Sequence, residues 1–163
     1  VPLCMYACVA YVRLFSLLAV PVLVLHAAET AAATGIVQAL RDSATLLSLG
    51  LRGAARHVLA AFALCGPHLS SDDLVVIGRV AMRHAVDYVF NDEDPALQLR
   101  AVLGIHALCQ DTETARATQV QYRPLMDRLN RMVSDMATPP LTQQAASALL
   151  ELFRSKAQVK AAA

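Results

Sequence analysis

The chain has no tryptophan, and its few aromatic residues, 5% of the total, are not interleaved with basic ones. That argues against a base-stacking surface. Neither sign of charge dominates: 14 Lys and Arg stand against 13 Asp and Glu, a net charge of +1. With no positive field to hold a polyanion and no acidic tail, nucleic acid is disfavoured as a partner. There is no Walker loop, no GxGxxG and no nucleophile elbow, so nucleotide and acyl chemistry have no local support. No cofactor or small-molecule substrate is implied. No stretch alternates apolar and polar residues with β-branched enrichment, which predicts essentially no sheet. None of the four cysteines, Cys4, Cys8, Cys65 and Cys109, forms a CxxC pair. All lie in apolar helical contexts, where cysteine packs as a small hydrophobe. They read as reduced core residues and point to an intracellular compartment.

Apolar residues are abundant instead. They make up 56% of the 163 positions, with only 17% charged. That is apolar for a free soluble domain. Either partners cover much of the surface, or part of the chain meets a membrane. The sequence starts at Val1, which suggests a fragment, a processed chain or an incomplete reading frame.

Glycines are few and prolines fall between periodic segments, as in helices joined by short turns. About eight helices are predicted. The first covers residues 3–19. The second starts at Pro21 and runs to about 33, broken by Thr34-Gly35. A third spans 36–48 and stops near Gly50, and a fourth spans 51–65, stopped by Gly66-Pro67. Ser70 or Ser71 caps a fifth that reaches about Phe90, with Asp72 and Asp73 complementing the helix dipole. Pro95 opens a sixth to about Gln110. Residues 111–120 also look helical but are interrupted near Arg123-Pro124. The seventh covers 124–137, and the eighth follows Thr138-Pro139-Pro140 to about Lys156. The chain thus divides into an apolar N-terminal helix pair (1–34), a helical region (35–157) and a tail (158–163) expected to fray.

A shift of 44 residues brings Arg52–Cys65 onto Ala96–Cys109 with six identities in fourteen positions. Roughly one or two would arise by chance in so Ala- and Leu-rich a chain. Arg56 meets Arg100, Val58 meets Val102, Leu59 meets Leu103, and Ala63-Leu64-Cys65 meets Ala107-Leu108-Cys109. The same shift carries Pro95 to Pro139, Leu97 to Leu141, Ala101 to Ala145 and Leu108 to Leu152. It also brings Met82 onto Met126 and Val89 onto Val133. Each unit reads as an A helix, a turn and a B helix. One pair cannot bury its apolar stripe alone, so pairs stack and share a core. Leu64, Leu103, Leu108 and Leu152 are expected in that core, and small residues such as Gly104 and Ala107 let helices approach.

The turn Asn91-Asp92-Glu93-Asp94-Pro95, followed by Leu99-Arg100-Ala101 on the B helix, resembles the HEAT/armadillo superfamily. That family typically shows an acidic turn, often with proline, and then an aliphatic–Arg–small pattern. The resemblance spans residues 36–156. The third unit departs from it with Gln144 in place of Arg, and the first lacks the acidic turn. It implies an all-α, α-solenoid fold of antiparallel helix pairs and a role in scaffolding or binding other proteins.

Residues 1–28 are strongly apolar, split by Arg13. Three readings compete. A transmembrane helix needs roughly 20 apolar residues, but Arg13 interrupts the run and Pro21 would kink it. A signal peptide would start at Met5, with small residues after His26. The third reading, preferred because Pro21 fits a helix start, is a helix pair packed on protein. It would meet near Val20-Pro21 and bury residues 14–25.

Catalytic and metal readings fare poorly. His106 and Cys109, and likewise His84 and Asp87, share a helix face at i, i+3, but zinc needs about four converging ligands. His26, His57 and His68 are isolated. Asp92, Glu93 and Asp94 lack the longer pattern of a calcium loop. They read as a solvated turn, with a carboxylate pairing with Arg100 or capping the next helix. Triads that assemble only in space are not decided by sequence. The candidate binding residues are polar positions on B helices, which in a right-handed stack line the concave face: Arg52, His57, Gln98, His106, Gln143 and Gln144. The expected function is a non-catalytic protein–protein interaction or scaffold subunit of a larger complex, its partners other protein subunits. The alternative is a membrane-associated accessory subunit held by residues 1–28, and an enzyme is third.

Overall fold

A computed structural model describes residues 31–91 and 93–161. The expected helix over 3–19, nearly all of the second helix, and the readings of residues 1–28 lie outside the described residues. Within them the chain is all-helical, with no strand. Seven α-helices follow in order: α1 (Ala31–Leu46), α2 (Arg52–Cys65), α3 (Ser71–Val89), α4 (Pro95–Leu108), α5 (Thr112–Gln121), α6 (Arg123–Ser134) and α7 (Pro140–Ala161). Short 3-10 turns, Leu47–Leu49 and Gly66–His68, extend α1 and α2.

Local chemistry sets most boundaries. Gly50 ends the first 3-10 turn with φ 66°, a left-handed conformation that suits glycine. Ser70 caps α3: its hydroxyl accepts from Asp73 N at 3.3 Å and donates to Asp73 Oδ2 at 2.6 Å. Asp94 caps α4, accepting from Leu97 N at 3.0 Å, with Pro95 in the first turn where its missing N–H costs nothing. Asp111 caps α5, accepting from Thr114 N at 2.7 Å.

Two boundaries differ from expectation, and a third, the end of α2 at Cys65, falls where expected for another reason. Thr34-Gly35 does not break the chain, because α1 runs through it. Gly35 is exposed, and one exposed glycine costs a helix only about 1 kcal/mol while its backbone hydrogen bonds persist. Gly66 does not stop α2 by a left-handed turn, since its φ is −49°. It is needed for close approach: a Cβ there would fall 2.6 Å from Ala107 Cβ on α4. At the far end α7 continues to Ala161, past the expected stop near Lys156, in a sequence with the strong helix formers Ala157 and Ala161.

α2 lies against α4, and α4 in turn against α3 and α7. α1 packs on α2 and α3, and α6 on α7. α4 is thus the helix around which the others gather. Along α2, α4 and α7, buried positions recur at the 44-residue shift. Ala54, Gln98 and Thr142 are buried, as are Val58, Val102 and Ala146. So are Ala61, Ile105 and Leu149, and then Cys65, Cys109 and Phe153. Their spacing of 4, 3 and 4 residues marks one continuous helix face. The preceding helices match in the same way at Ala81 and Leu125, Ala85 and Leu129, and Tyr88 and Met132.

The match breaks in two places. The counterpart of α3 is split into α5 and α6, because Val80 is replaced in register by Pro124. Proline lacks the N–H and its ring clashes with the carbonyl one turn back, so the helix restarts at Arg123. α5 then packs against both α3 and α7. The second break corrects the expected core. Leu108 is fully buried and Leu152 is partly buried against the core, but Leu64 is 48% and Leu103 39% exposed. Leu59 meets α4 at Gly104, where an added Cβ would lie 3.2 Å from Leu59 Cδ2. Leu103, in Leu59's register, would need α7 to close over it in the same way at Ala148, yet Ala148 is exposed. The α4–α7 junction is open at this level.

Candidate functional site

The polar positions proposed on α2, α4 and α7 are placed unequally. Arg52 is exposed and pairs with Glu93. His57 is half-buried. Gln98 is buried, and its amide donates to Val89 O at 2.9 Å, tying α4 to the end of α3. Its side chain is therefore engaged inside the protein rather than at a surface. His106 is half-buried beside Gln110, whose amide nitrogen lies 3.4 Å from its Nδ1. Burial pulls the His106 pKa below its usual value. Gln143 is part-exposed and donates to Asp135 O at 2.8 Å, bracing the α6–α7 turn, whereas Gln144 is exposed.

The acidic turn between α3 and α4 caps the next helix through Asp94, one of the two roles expected of it. The expected pairing with Arg100 is not made: its carboxylates reach back to α2 instead. Glu93 pairs with Arg52, and Asp94 takes the Arg56 guanidinium through Nε at 3.0 Å and through Nη2. Arg100 instead reaches the Ala96 carbonyl on its own helix at 3.4 Å. Asp94 joins two tasks, capping α4 and fastening it to α2. The hydrogen bond from Arg56, offset by burial and aided by the Leu97 amide, holds its carboxyl below the ordinary carboxylate range. Asp92 lies outside the described residues.

The cysteines that the structure describes are packing groups. Burial pushes the Cys65 thiol up to about 11 and the Cys109 thiol up to about 12. Cys109 Sγ contacts Thr118 Oγ1 at 3.8 Å, linking the end of α4 to α5. Among the described residues no three His, Cys, Asp or Glu side chains gather as a metal site would require.

Two surface features escaped the sequence. One is apolar: Leu64, Leu103 and Leu141, which is 66% exposed, stand out from α2, α4 and α7. Helical periodicity marks a leucine as facing one side of its helix but does not say which side a neighbour covers. The other is a cleft of about 280 Å³ between α3 and α5. α3 supplies Val75, Gly78, Arg79, Met82 and Arg83, and α5 the Thr114, Thr118 and Gln121 side, with Glu113 and Tyr122 at its ends. The i, i+3, i+4, i+7, i+8 spacing on α3 was readable as one face. Its juxtaposition with α5 follows from the break at Pro124. Burial raises the Tyr122 pKa; Asp87 adds to this and Arg83 opposes it, so both charges lie near the phenol.

No family model, characterised protein or solved structure matches the chain.

Proposed function

We propose that this chain is a non-catalytic interaction or scaffold subunit, built as an α-solenoid of antiparallel helix pairs of the HEAT/armadillo kind. The observation that carries the reading is the set of twelve positions on α2, α4 and α7 that share a 44-residue register and are all buried. A face repeated at fixed intervals is what stacked, nearest-neighbour units need in order to share one core. Stacking in this manner leaves the other side of α2, α4 and α7 as an extended surface. α2, α4 and α7 expose Arg52 and Gln144, half-bury His106, and expose Leu64, Leu103 and Leu141 at different positions of the repeat. Exposed aliphatic side chains near polar ones are what a protein partner can cover. The α4–α7 junction, where Leu103 and Ala148 are exposed, is one place that offers a partner apolar contact.

The test is native affinity purification of the tagged full chain, with mass spectrometry and size-exclusion chromatography of what is recovered. Wild type and Leu103→Asp are compared, since an exposed aspartate should leave the fold intact. The expected result is one or more proteins at fixed stoichiometry with wild type, lost with Leu103→Asp. A chain that elutes alone, or a partner retained equally by the variant, would overturn the reading. The membrane-associated alternative rests on the apolar run of residues 1–28. No described helix is long and apolar enough to cross a membrane. Sodium carbonate extraction separates the two: release into the supernatant is expected here, and retention in the pellet favours the membrane subunit.

A further inference from the structure

The α3–α5 cleft is lined by arginines without ion pairs among the described residues, in contrast to the contacts α1 and α2 make with α3 and the α3–α4 turn. Where α1 meets α3, and where α2 meets the α3–α4 turn, each arginine has a carboxylate: Arg41 pairs with Asp73, Arg52 with Glu93, and Arg56 with Asp94. Arg79 and Arg83 line the cleft one turn apart on α3, both exposed, and neither makes an ion pair with a described residue. Across from them, α5 offers a single carboxylate, Glu113, also without an ion pair among the described residues. Asp87, one turn past Arg83, adds a second carboxylate near the Tyr122 end, but neither guanidinium is committed to it or to Glu113, so both can pair with an incoming carboxylate.

The floor between the helices is mostly uncharged and apolar. Met82, Gly78, Thr114 and Thr118 are buried there. The Thr118 hydroxyl is already engaged, donating to Thr114 O at 2.8 Å. Gly78 keeps the floor low, because a Cβ at that position would come within 3.1 Å of Thr114 Cγ2. Gln121 and the Tyr122 phenol stand at one end as further hydrogen-bonding groups. A volume of about 280 Å³ falls just below the range of roughly 300–1,000 Å³ typical of small-molecule sites, and suits one or two amino-acid side chains.

We propose that this cleft receives an acidic segment of a partner protein, with one Asp or Glu carboxylate held between Arg79 and Arg83 and a neighbouring aliphatic side chain on the Met82 and Gly78 floor. The assignment rests on the interaction function above and names the chemistry of one partner contact. Guanidiniums suit carboxylates because their planar N–H pairs match the two oxygens. Glu113 on the facing wall makes a dianionic phosphate a poorer occupant than a singly charged carboxylate.

A phage-displayed heptapeptide library panned against the immobilised full chain tests the proposal. Enrichment of Asp or Glu beside Leu, Ile, Val or Met is expected. The best enriched peptide, synthesised with a fluorophore, should lose at least about tenfold in affinity with Arg79→Glu/Arg83→Glu and weaken as salt is raised. Both arginines are exposed, so the double variant should keep its circular dichroism. Ala117 of α5 also lines the cleft, and Ala117→Phe, which fills it without changing charge, should weaken the same peptide. No acidic enrichment, or an affinity unchanged in both variants, overturns the proposal. Non-acidic peptides that are lost with Leu103→Asp overturn the cleft assignment while sustaining the interaction function. No peptide enrichment together with no recovered partner sinks both.

Discussion

Leu103 and Leu108 lie five residues apart on one helix and meet opposite surroundings. Leu108 has no accessible surface, whereas Leu103 sits at the open α4–α7 junction. Leu108→Ala should cost about 2–5 kcal/mol, through lost transfer free energy and an unfilled cavity. Leu103→Ala should cost about 1 kcal/mol or less, close to a surface substitution. Urea denaturation of the two variants decides; equal losses would place Leu103 in the core after all. Asp94 invites a second measurement. Its carboxyl titrates below the ordinary value of 3.8 because the folded state stabilises the anion, mainly through Arg56. The stability this provides is present above that value and is lost as pH falls through the depressed folded pKa. Asp94→Asn retains a capping oxygen but not the charge. Wild type should therefore melt higher than Asp94→Asn at neutral pH, and the gap should narrow on acidification below about pH 4. A constant gap from neutral to strongly acid pH would show that the Arg56 pairing contributes nothing.

At the scale of elements, glycine positions separate two uses of the same residue. Gly66 at the end of α2 has an ordinary helical φ, and its lack of a side chain matters because Ala107 of α4 is pressed against it. Gly53, in the first turn of α2, is exposed with open space around it. Gly66→Ala should destabilise by about 1–3 kcal/mol, since α2 and α4 must separate to admit the methyl group. Gly53→Ala should be neutral, or stabilise by up to about 1 kcal/mol through helix propensity and a less flexible unfolded chain. Thermal melts of the pair provide the check, and a stable Gly66→Ala would mean the two helices are not in close contact. α5 belongs to the same scale. It is only ten residues long and would be marginal alone. Its Asp111 cap and its buried Thr114, Ala115 and Thr118 hold it against its neighbours.

For the whole molecule, the distribution of contacts predicts an order of opening. α4 is enclosed by α2, α3 and α7, while α6 packs chiefly on α7, and α7 reaches the rest through α4 and α5. In nearest-neighbour assemblies a weakened unit can open while the others persist. Leu125→Ala, at a buried position of α6, should accelerate amide hydrogen exchange in α6 and α7 first, leaving α2 and α4 protected. Uniform acceleration along the chain would show that the helices unfold as one cooperative unit.

Composition, helical periodicity and capping residues alone led to an all-helical chain, and the same signals located the caps at Ser70 and the Pro95 start with near-native boundaries. The 44-residue register was equally visible, and the buried faces of α2, α4 and α7 follow it. Those properties depend on neighbours a few residues away, or on a repeated spacing, both of which a sequence carries directly. The run through Thr34-Gly35 in α1 shows how far a local break signal reaches: it biases a boundary by about 1 kcal/mol, which the surrounding helix can absorb. Which side of a helix is covered is another matter. Leu59 and Leu103 are identical residues at equivalent positions, yet one is buried and the other exposed, because α2 closes over Gly104 and α7 does not close over Leu103. Asp94 could be read as a cap, but its choice of Arg56 over Arg100 required knowing that α2 lies within reach. The α3–α5 cleft likewise exists only because Pro124 divides one helix into two and lets the first half turn against α3. Packing between distant segments decides these features, and its free energy is a sum over surfaces that meet only once the chain has folded.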